Sequence, residues 1–410
     1  MDPHRPDGSG SGSHESVPSR RVLVVAAIGG VSAAATAGVV SSLVRGSGPA
    51  AQSVAVNPSV PSTILPTTTR APGIAPKPLW TYDKARLTGA PPVPVSESLV
   101  VVKGVDGLIG LDAGSGHHRW TTARNVLAEG AALPTGDGLV AGLARAAGHS
   151  RTPQAVDPSG HGRTCWTLAA PPSLHFPPGA LLASDDTSLY VAATTADGEP
   201  LVLAYALATR RERWRAPGPG AGAAPLAVLD RARLVVCDGA SLAAYDTRTG
   251  ARQWLVRLPG AGYGRPVVDE VRAYVAGDAV TAVELASGRV AWSTPPERYG
   301  DPALLGGVAY AVGRASGLTA LDALSGTVLW RRPASGPALL AADAPIAYRD
   351  RLYAITTDDR TPLAVFDTTS RRIAWTFRPA HRAAGTIRTA SLGDRLYVQH
   401  GNAVYALPMD

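Results

Sequence analysis

The sequence predicts an all-β protein, an eight-bladed β-propeller of four-stranded antiparallel blades, preceded by one N-terminal apolar helix and a disordered linker. Three observations support this prediction. All eight tryptophans lie in the last four fifths of the 410 residues, at spacings of 38 to 48. Short alternating strands and tight turns fill each interval, and one uncharged run precedes the first tryptophan. A repeat near 40 residues with several strands per repeat is typical of propeller blades.

The first 44 residues contain the predicted helix. Residues 1–21 are polar and form a predicted cytoplasmic tail, and residues 22–44 contain no charge. Such a run is long enough to cross a bilayer, which predicts a single-pass membrane anchor with the propeller outside the cytoplasm. Because Arg20 and Arg21 precede the run, a twin-arginine export signal that is cleaved on secretion is the alternative.

Residues 45–78 are rich in Pro, Ser and Thr and contain no acidic or aromatic residue. Such a composition cannot bury enough apolar surface to fold, so this segment is the predicted linker. The predicted propeller occupies residues 79–410.

One stretch shows the four strands of a blade most clearly. The strands are predicted at Arg265–Val268, Arg272–Val275, Val280–Val283 and Arg289–Trp292, where apolar and polar residues alternate or β-branched residues follow one another. Gly277-Asp278 separates the second and third strands, and such pairs are typical of hairpin turns.

The third and fourth strands carry an eleven-residue frame. It runs from Ala244 to Trp254 and from Ala320 to Trp330, with Asp in the third place, Thr or Ser in the sixth and Gly in the seventh. With this frame the chain resembles the pyrroloquinoline-quinone (PQQ) repeat family of propellers over residues 80 to 410. The resemblance implies that the frame's Trp docks each blade on its neighbour, at Trp80, Trp120, Trp166, Trp214, Trp254, Trp292, Trp330 and Trp375.

The ends of the repeat region predict how the ring closes. Trp375 is followed by three strand-like stretches, and Leu79–Tyr82 has no strands before it that could form a blade. We expect the N-terminal strand to complete the last blade, because this pairing removes an exposed sheet edge. Eight tryptophans then correspond to eight blades.

Several classes of function are excluded by composition and motifs. The net charge of +7 is small for a chain of this length and does not indicate a nucleic-acid partner. The three lysines lie outside any phosphate-binding loop, and two cysteines cannot form a thiolate zinc cluster. We therefore expect no bound cofactor, no metal site and no catalytic residue.

The resemblance also implies an alternative function, that of a PQQ- and Ca²⁺-dependent alcohol or sugar dehydrogenase. Those enzymes hold the quinone in the central funnel between two neighbouring cysteines and a tryptophan floor. Cys165 and Cys237 are 72 residues apart, and the docking frame accounts for every tryptophan. The sequence thus favours a non-enzymatic, extracytoplasmic member of the family. Such relatives include the propeller lipoprotein of the outer-membrane assembly machinery, whose lipid-bearing cysteine is missing here.

The remaining prediction is a binding or scaffold module that acts as a monomer, tethered to the membrane by its N-terminal helix. Its partner would be an envelope protein or a cell-wall ligand. In a propeller, the loops that lead from one blade to the next share a face with the hairpins between second and third strands, and loops carry specificity. Arg and Tyr are common at interfaces. The candidate binding residues on these loops are Arg124, His175, Tyr263, Arg265, Arg298, Tyr299, His381, Arg382 and Arg388.

Overall fold

The computed structural model describes residues 63–64, 73–122, 129–145, 151–169, 171–220, 225–333, 344–379 and 387–409. These residues form an all-β propeller of eight blades, as predicted. The predicted tail at 1–21 and the predicted anchor or signal at 22–44 lie outside the described residues. Within the described part of the chain, no helix has the length and apolar character needed to span a bilayer.

Each blade has four antiparallel strands; in the first seven blades they pair in chain order, and in the eighth the outer strand comes from the N-terminal side of the ring. Three strands precede the first complete blade: β1 (Thr63–Ile64), β2 (Gly73–Ile74) and β3 (Trp80–Tyr82). The first two blades contain β4 (Val93–Ser96), β5 (Leu99–Lys103), β6 (Leu108–Asp112), β7 (His118–Thr121), β8 (Glu129–Pro134), β9 (Val140–Arg145), β10 (Arg151–Asp157) and β11 (Arg163–Thr167). The third and fourth contain β12 (Leu174–His175), β13 (Leu181–Ser184), β14 (Ser188–Thr195), β15 (Pro200–Ala206), β16 (Glu212–Pro217), β17 (Leu226–Asp230), β18 (Arg233–Cys237), β19 (Ser241–Asp246) and β20 (Arg252–Arg257).

The other four blades repeat this arrangement. The fifth and sixth contain β21 (Val267–Val268), β22 (Arg272–Ala276), β23 (Val280–Glu284), β24 (Val290–Ser293), β25 (Ala303–Leu305), β26 (Val308–Gly313), β27 (Gly317–Asp322) and β28 (Val328–Arg332). The last two contain β29 (Ile346–Tyr348), β30 (Arg351–Ile355), β31 (Leu363–Asp367), β32 (Arg372–Phe377), β33 (Ile387–Leu392), β34 (Arg395–His400) and β35 (Ala403–Pro408). The first strands of successive blades contact one another around the whole ring, so they surround the central axis.

The ring closes through the N-terminal strand. β3 pairs antiparallel with β35 and forms the outer strand of the eighth blade, with Trp80 opposite Ala406. The pairing confirms the predicted closure. Eight clusters of buried apolar residues fill the interfaces between adjacent blades, including the interface between the eighth and the first.

The region predicted as a linker contains two additional strands. β1 pairs in parallel with β28 at the outer edge of the sixth blade, and β2 pairs in parallel with β32 at the outer edge of the seventh. Together with β3, these strands lie at the outer edges of three successive blades. Composition did not predict these strands, because two-residue pairings have no hydrophobic period and use only backbone groups.

Each docking tryptophan lies on the outer strand of a blade. On the neighbouring third strand it faces a small or β-branched residue, such as Ala244 opposite Trp254. In four blades the indole nitrogen donates to a carbonyl oxygen of the next blade at 2.8 to 3.0 Å: Trp80 to Ala113, Trp214 to Thr247, Trp254 to Leu285 and Trp292 to Ala323. These bonds fix the angle between neighbouring sheets.

The glycine of the frame packs directly on the tryptophan of the preceding blade. Gly250 has a φ of +74°, and a Cβ atom there would lie 2.6 Å from the ring of Trp214. Two blades carry arginine at this place. Arg210 and Arg371 keep the left-handed backbone, with φ values of 61° and 57°. The guanidinium of Arg210 lies 5.0 Å from the centre of the Trp166 ring, an arrangement that gains a cation–π interaction.

Candidate binding face

One face of the propeller is formed by the connections between blades together with the hairpins between second and third strands. Around the fourth to sixth blades, these segments are joined by backbone hydrogen bonds. The connection 258–266 bonds to the hairpins of the fourth and fifth blades through Tyr263 N to Gly239 O and Asp278 N to Ala261 O. The connection 294–302 bonds to the fifth through Tyr299 N to Gly277 O. We call these connections and hairpins the blade 4–6 face.

Two predicted binding residues of this face are buried. Tyr263 is 4% exposed, and its hydroxyl donates to the Pro259 carbonyl at 2.9 Å. Tyr299 is 5% exposed and forms an isolated bridge with Gly313. Burial raises the pKa of both phenols. Both rings therefore anchor the connections against the blades and present little surface to a partner.

Two exposed arginines lie on this face where the fifth and sixth blades meet. Arg298 is exposed, and its carbonyl accepts a hydrogen bond from the amide of Arg314, which is also exposed. The neighbouring Glu297 carboxylate accepts from the amides of Ala315 and Ser316 at 2.8 and 2.7 Å. Burial opposes ionisation of Glu297, but these amide bonds hold its pKa below its usual range. The carboxylate thus fixes the backbone that carries both arginines.

Arg314 was missed by the sequence analysis, although the rule applied there includes its hairpin. The residue lies between β26 and β27, the second and third strands of the sixth blade. Arg314 lies next to Arg298 because its amide donates to the Arg298 carbonyl, a bond that joins a hairpin to a connection between blades. No local motif encodes this contact.

Arg265 lies deeper, at the start of the fifth blade. Its Nη1 donates to the carbonyl of Ala227 at 3.1 Å, and its backbone amide donates to Oδ1 of Asp301 at 3.1 Å. Burial lowers the pKa of Arg265, while the Asp301 charge opposes this shift. Arg265 therefore joins the inner strands of the fourth and fifth blades and is partly exposed.

The other predicted binding residues lie apart from this group. His175 is exposed in β12, which pairs with β14 in the third blade. Arg388 is half-buried in β33 of the eighth blade, and its Nη1 donates to the Ile387 carbonyl at 2.9 Å. Arg124, His381 and Arg382 lie outside the described residues.

The residues present do not fit the quinone site of the dehydrogenases. Cys165 is exposed in β11, the outer strand of the second blade, whereas Cys237 is buried in β18 of the fourth blade. The docking tryptophans lie on outer strands, away from the central axis. Within the described ranges, no group of three or more His, Cys, Asp or Glu side chains could hold a metal ion.

Comparison with solved structures supports the fold. BamB from Moraxella catarrhalis is 16% identical, with coverage of 80% of this chain and 98% of that chain and a TM-score of 0.57. The computationally designed Ika8 protein is 12% identical over 82% of this chain and 100% of that chain, at a TM-score of 0.63. A quinohemoprotein alcohol dehydrogenase from Pseudomonas putida HK5 is 12% identical over 82% and 76% of the two chains, at 0.56. At such identities the likeness concerns the fold alone.

Fold and repeats together define a β-propeller built from PQQ-like repeats. The sequence pattern of the family described as outer membrane protein assembly factor BamB matches residues 74–200, 148–260, 196–298 and 276–409. These matches together span the whole propeller, and the chain belongs to this family. None of the curated proteins matches the chain by sequence.

Proposed function

We propose that the protein is an extracytoplasmic, membrane-tethered propeller that binds an envelope protein through the blade 4–6 face and performs no catalysis. The observation that carries this proposal is the exposed pair Arg298 and Arg314 on a backbone held in place by Glu297. A backbone that is held in place loses little entropy on binding, and arginine recognises carboxylates with several donors. A partner with an acidic surface fits this chemistry.

Membership of the BamB family supports a role in binding proteins, because the family description names an assembly factor. The proposed tether rests on the uncharged segment 22–44 and on Arg20 and Arg21 before it. A reporter that is active only outside the cytoplasm, fused after Asp410, tests the location. Activity from a cytoplasm-only reporter at the same place would contradict the proposed topology.

Charge reversal tests the binding face. The full chain carrying both Arg298→Glu and Arg314→Glu is compared with the wild type in quantitative crosslinking from envelope membranes. We expect recovery of the specific partner to fall at least about tenfold, since two positive charges that would face an acidic partner surface are reversed. The matched control carries Arg231→Glu and Arg248→Glu, two exposed arginines in turns at the opposite ends of the strands. Equal recovery with both double variants would overturn the assignment to this face.

The dehydrogenase alternative is tested with the purified protein, PQQ and Ca²⁺. The described residues contain neither neighbouring cysteines nor a tryptophan at the central axis. We therefore expect no quinone absorbance and no dye-linked alcohol oxidation. Clear turnover of an alcohol or a sugar would overturn the non-catalytic proposal.

A further inference from the structure

Among the described residues, the docking tryptophan between the first and second blades, like Trp166 and Trp375, lacks the interblade hydrogen bond that Trp80 and Trp214 form. Trp120 is 5% exposed, and its indole nitrogen is buried without a hydrogen-bond partner in the described part of the chain. The turn from Asp157 to Gly162 is one residue longer than the corresponding turn from Asp246 to Gly250. In the fourth blade, the carbonyl of Thr247 in the shorter turn accepts from the indole nitrogen of Trp214.

A cavity of about 530 Å³ lies beside Trp120, between turns of the first two blades. It opens at the ends of the strands opposite to the blade 4–6 face, because its walls are the turns after β4, β8 and β10. Its volume is in the range of small-molecule sites, about 300 to 1,000 Å³. Val95, Leu99 and Pro134 contribute apolar walls.

The polar groups at the cavity favour an anionic ligand. Arg119 and His161 line it, together with the hydroxyl-bearing Ser98 and Ser159, and neither Asp nor Glu is among the lining residues. Asp112 engages Nη2 of Arg119, a side chain that carries five N–H donors in all. His161 is exposed in the longer turn and adopts a left-handed φ of 60°.

We propose that this cavity binds a small organic carboxylate with an apolar body. The apolar walls would cover the body of the ligand, and Arg119 and His161 would face its carboxylate. An unpaired buried N–H is costly, so a ligand that shifts the covering turn and offers an acceptor to Trp120 would gain additional free energy. This site is independent of the proposed partner face.

Ligand-observed ¹⁹F NMR with the purified full chain tests the proposal. The two probes are 4-fluorobenzoate and 4-fluorobenzyl alcohol, which share the ring and differ in charge. We expect saturable binding of the acid in the millimolar range or tighter, and binding of the alcohol at least about fivefold weaker. No saturable binding of the acid, or equal binding of both probes, would overturn the proposal.

Variants assign the signal to the cavity. Ser98→Trp places a large ring at the cavity from an exposed turn, and we expect it to weaken binding of the acid at least about tenfold. Ala232→Trp is the matched control, because Ala232 holds the equivalent turn position in the fourth blade. The Ala232 carbonyl accepts a hydrogen bond from Thr247 N, and the Ser98 carbonyl accepts the corresponding bond from Ala113 N. Trp120→Phe replaces the indole by a single ring without an N–H group, and we expect it also to weaken binding of the acid. Wild-type affinity in both Ser98→Trp and Trp120→Phe would place the ligand elsewhere and refute the site.

Discussion

The indole nitrogen of Trp80 donates a hydrogen bond to the carbonyl oxygen of Ala113 at 2.8 Å, and this bond joins the eighth blade to the first. The guanidinium of Arg395 in β34 donates to the same carbonyl at 2.8 Å. The ring of Trp80 also packs on Tyr397 of its own blade, with ring centres 5.9 Å apart. Closure therefore depends on side chains as well as on the pairing of β3 with β35.

Truncation at the N-terminus should separate the roles of the outer strands. Deletion of residues 1–84 removes β1, β2 and β3 and leaves β35 and the first blade without their neighbour, so we expect a loss of at least about 3–5 kcal/mol. Deletion of residues 1–70 removes β1 alone and should have a much smaller effect. Thermal unfolding of the two proteins measures the difference. Equal melting temperatures would show that β3 does not close the ring.

The indole hydrogen bonds should be visible in a pair of conservative substitutions. Trp254→Phe leaves the Leu285 carbonyl unpaired at a buried interface, whereas Trp120 has no such bond to lose among the described residues. Both tryptophans are at least nine-tenths buried, so the loss of packing is similar. We expect Trp254→Phe to be more destabilising than Trp120→Phe by about 1–3 kcal/mol. Urea unfolding measures both values, and a larger loss for Trp120→Phe would contradict this account.

His400 should make the eighth blade sensitive to acid. The side chain is fully buried, and neither ring nitrogen has a hydrogen-bond partner within the described residues. Burial lowers the pKa of His400 below 6.5, while the Asp359 charge opposes the shift. The unfolded chain therefore binds the proton more readily. The contribution of the neutral ring to stability is complete above pH 6.5 and is lost as the pH falls from there through the folded-state pKa.

Substitution of His400 isolates this effect. His400→Leu removes the unpaired polar atoms at similar size, so stability at pH 7.5 should rise by about 1 kcal/mol or more. The decrease in unfolding free energy between pH 7.5 and pH 5 should also be smaller in the variant than in the wild type. Identical pH profiles for the two proteins would show that His400 does not titrate on unfolding.

The two arginines that replace the glycine of the frame, Arg210 and Arg371, should respond differently to glycine. Arg371→Gly relieves an unfavourable φ and should stabilise the protein by about 1 kcal/mol. Arg210→Gly relieves the same strain but removes the contact with Trp166 and an ion pair with Asp137 at 3.1 Å, so it should be close to neutral. Chemical unfolding of both variants measures the difference. Stabilisation by Arg210→Gly to the same degree would show that its contacts contribute little.

The sequence was sufficient to predict the blades because one tryptophan per blade has a fixed structural place. The eleven-residue frame marks the third and fourth strands, and a side chain such as Trp254 can satisfy its packing in only one position. The pairing of β3 with β35 followed from the same count. Where the signal was a regular repeat of large buried residues, sequence and structure agree.

The candidate face was harder to predict, because burial in loops has no periodic signal. Tyr263 and Tyr299 occur in Gly- and Pro-rich connections that resemble exposed surface, but their burial depends on hairpins of adjacent blades. The pair Arg298 and Arg314 likewise forms across a contact between two segments. No sequence pattern predicts β1 and β2, since their parallel pairing uses backbone groups and requires no particular side chains.

Closure by β3 also has a consequence for biosynthesis. Trp80 leaves the ribosome more than 300 residues before Ala406, the residue opposite it in the finished sheet. The first docking tryptophan to be synthesised thus belongs to a strand that pairs last. The long chain segment between β3 and β35 makes this pairing slow. Until β35 has been translated, β3 must stay unpaired or pair elsewhere, and the incomplete ring keeps an exposed sheet edge. Folding of the ring therefore completes only after nearly the whole chain has been synthesised.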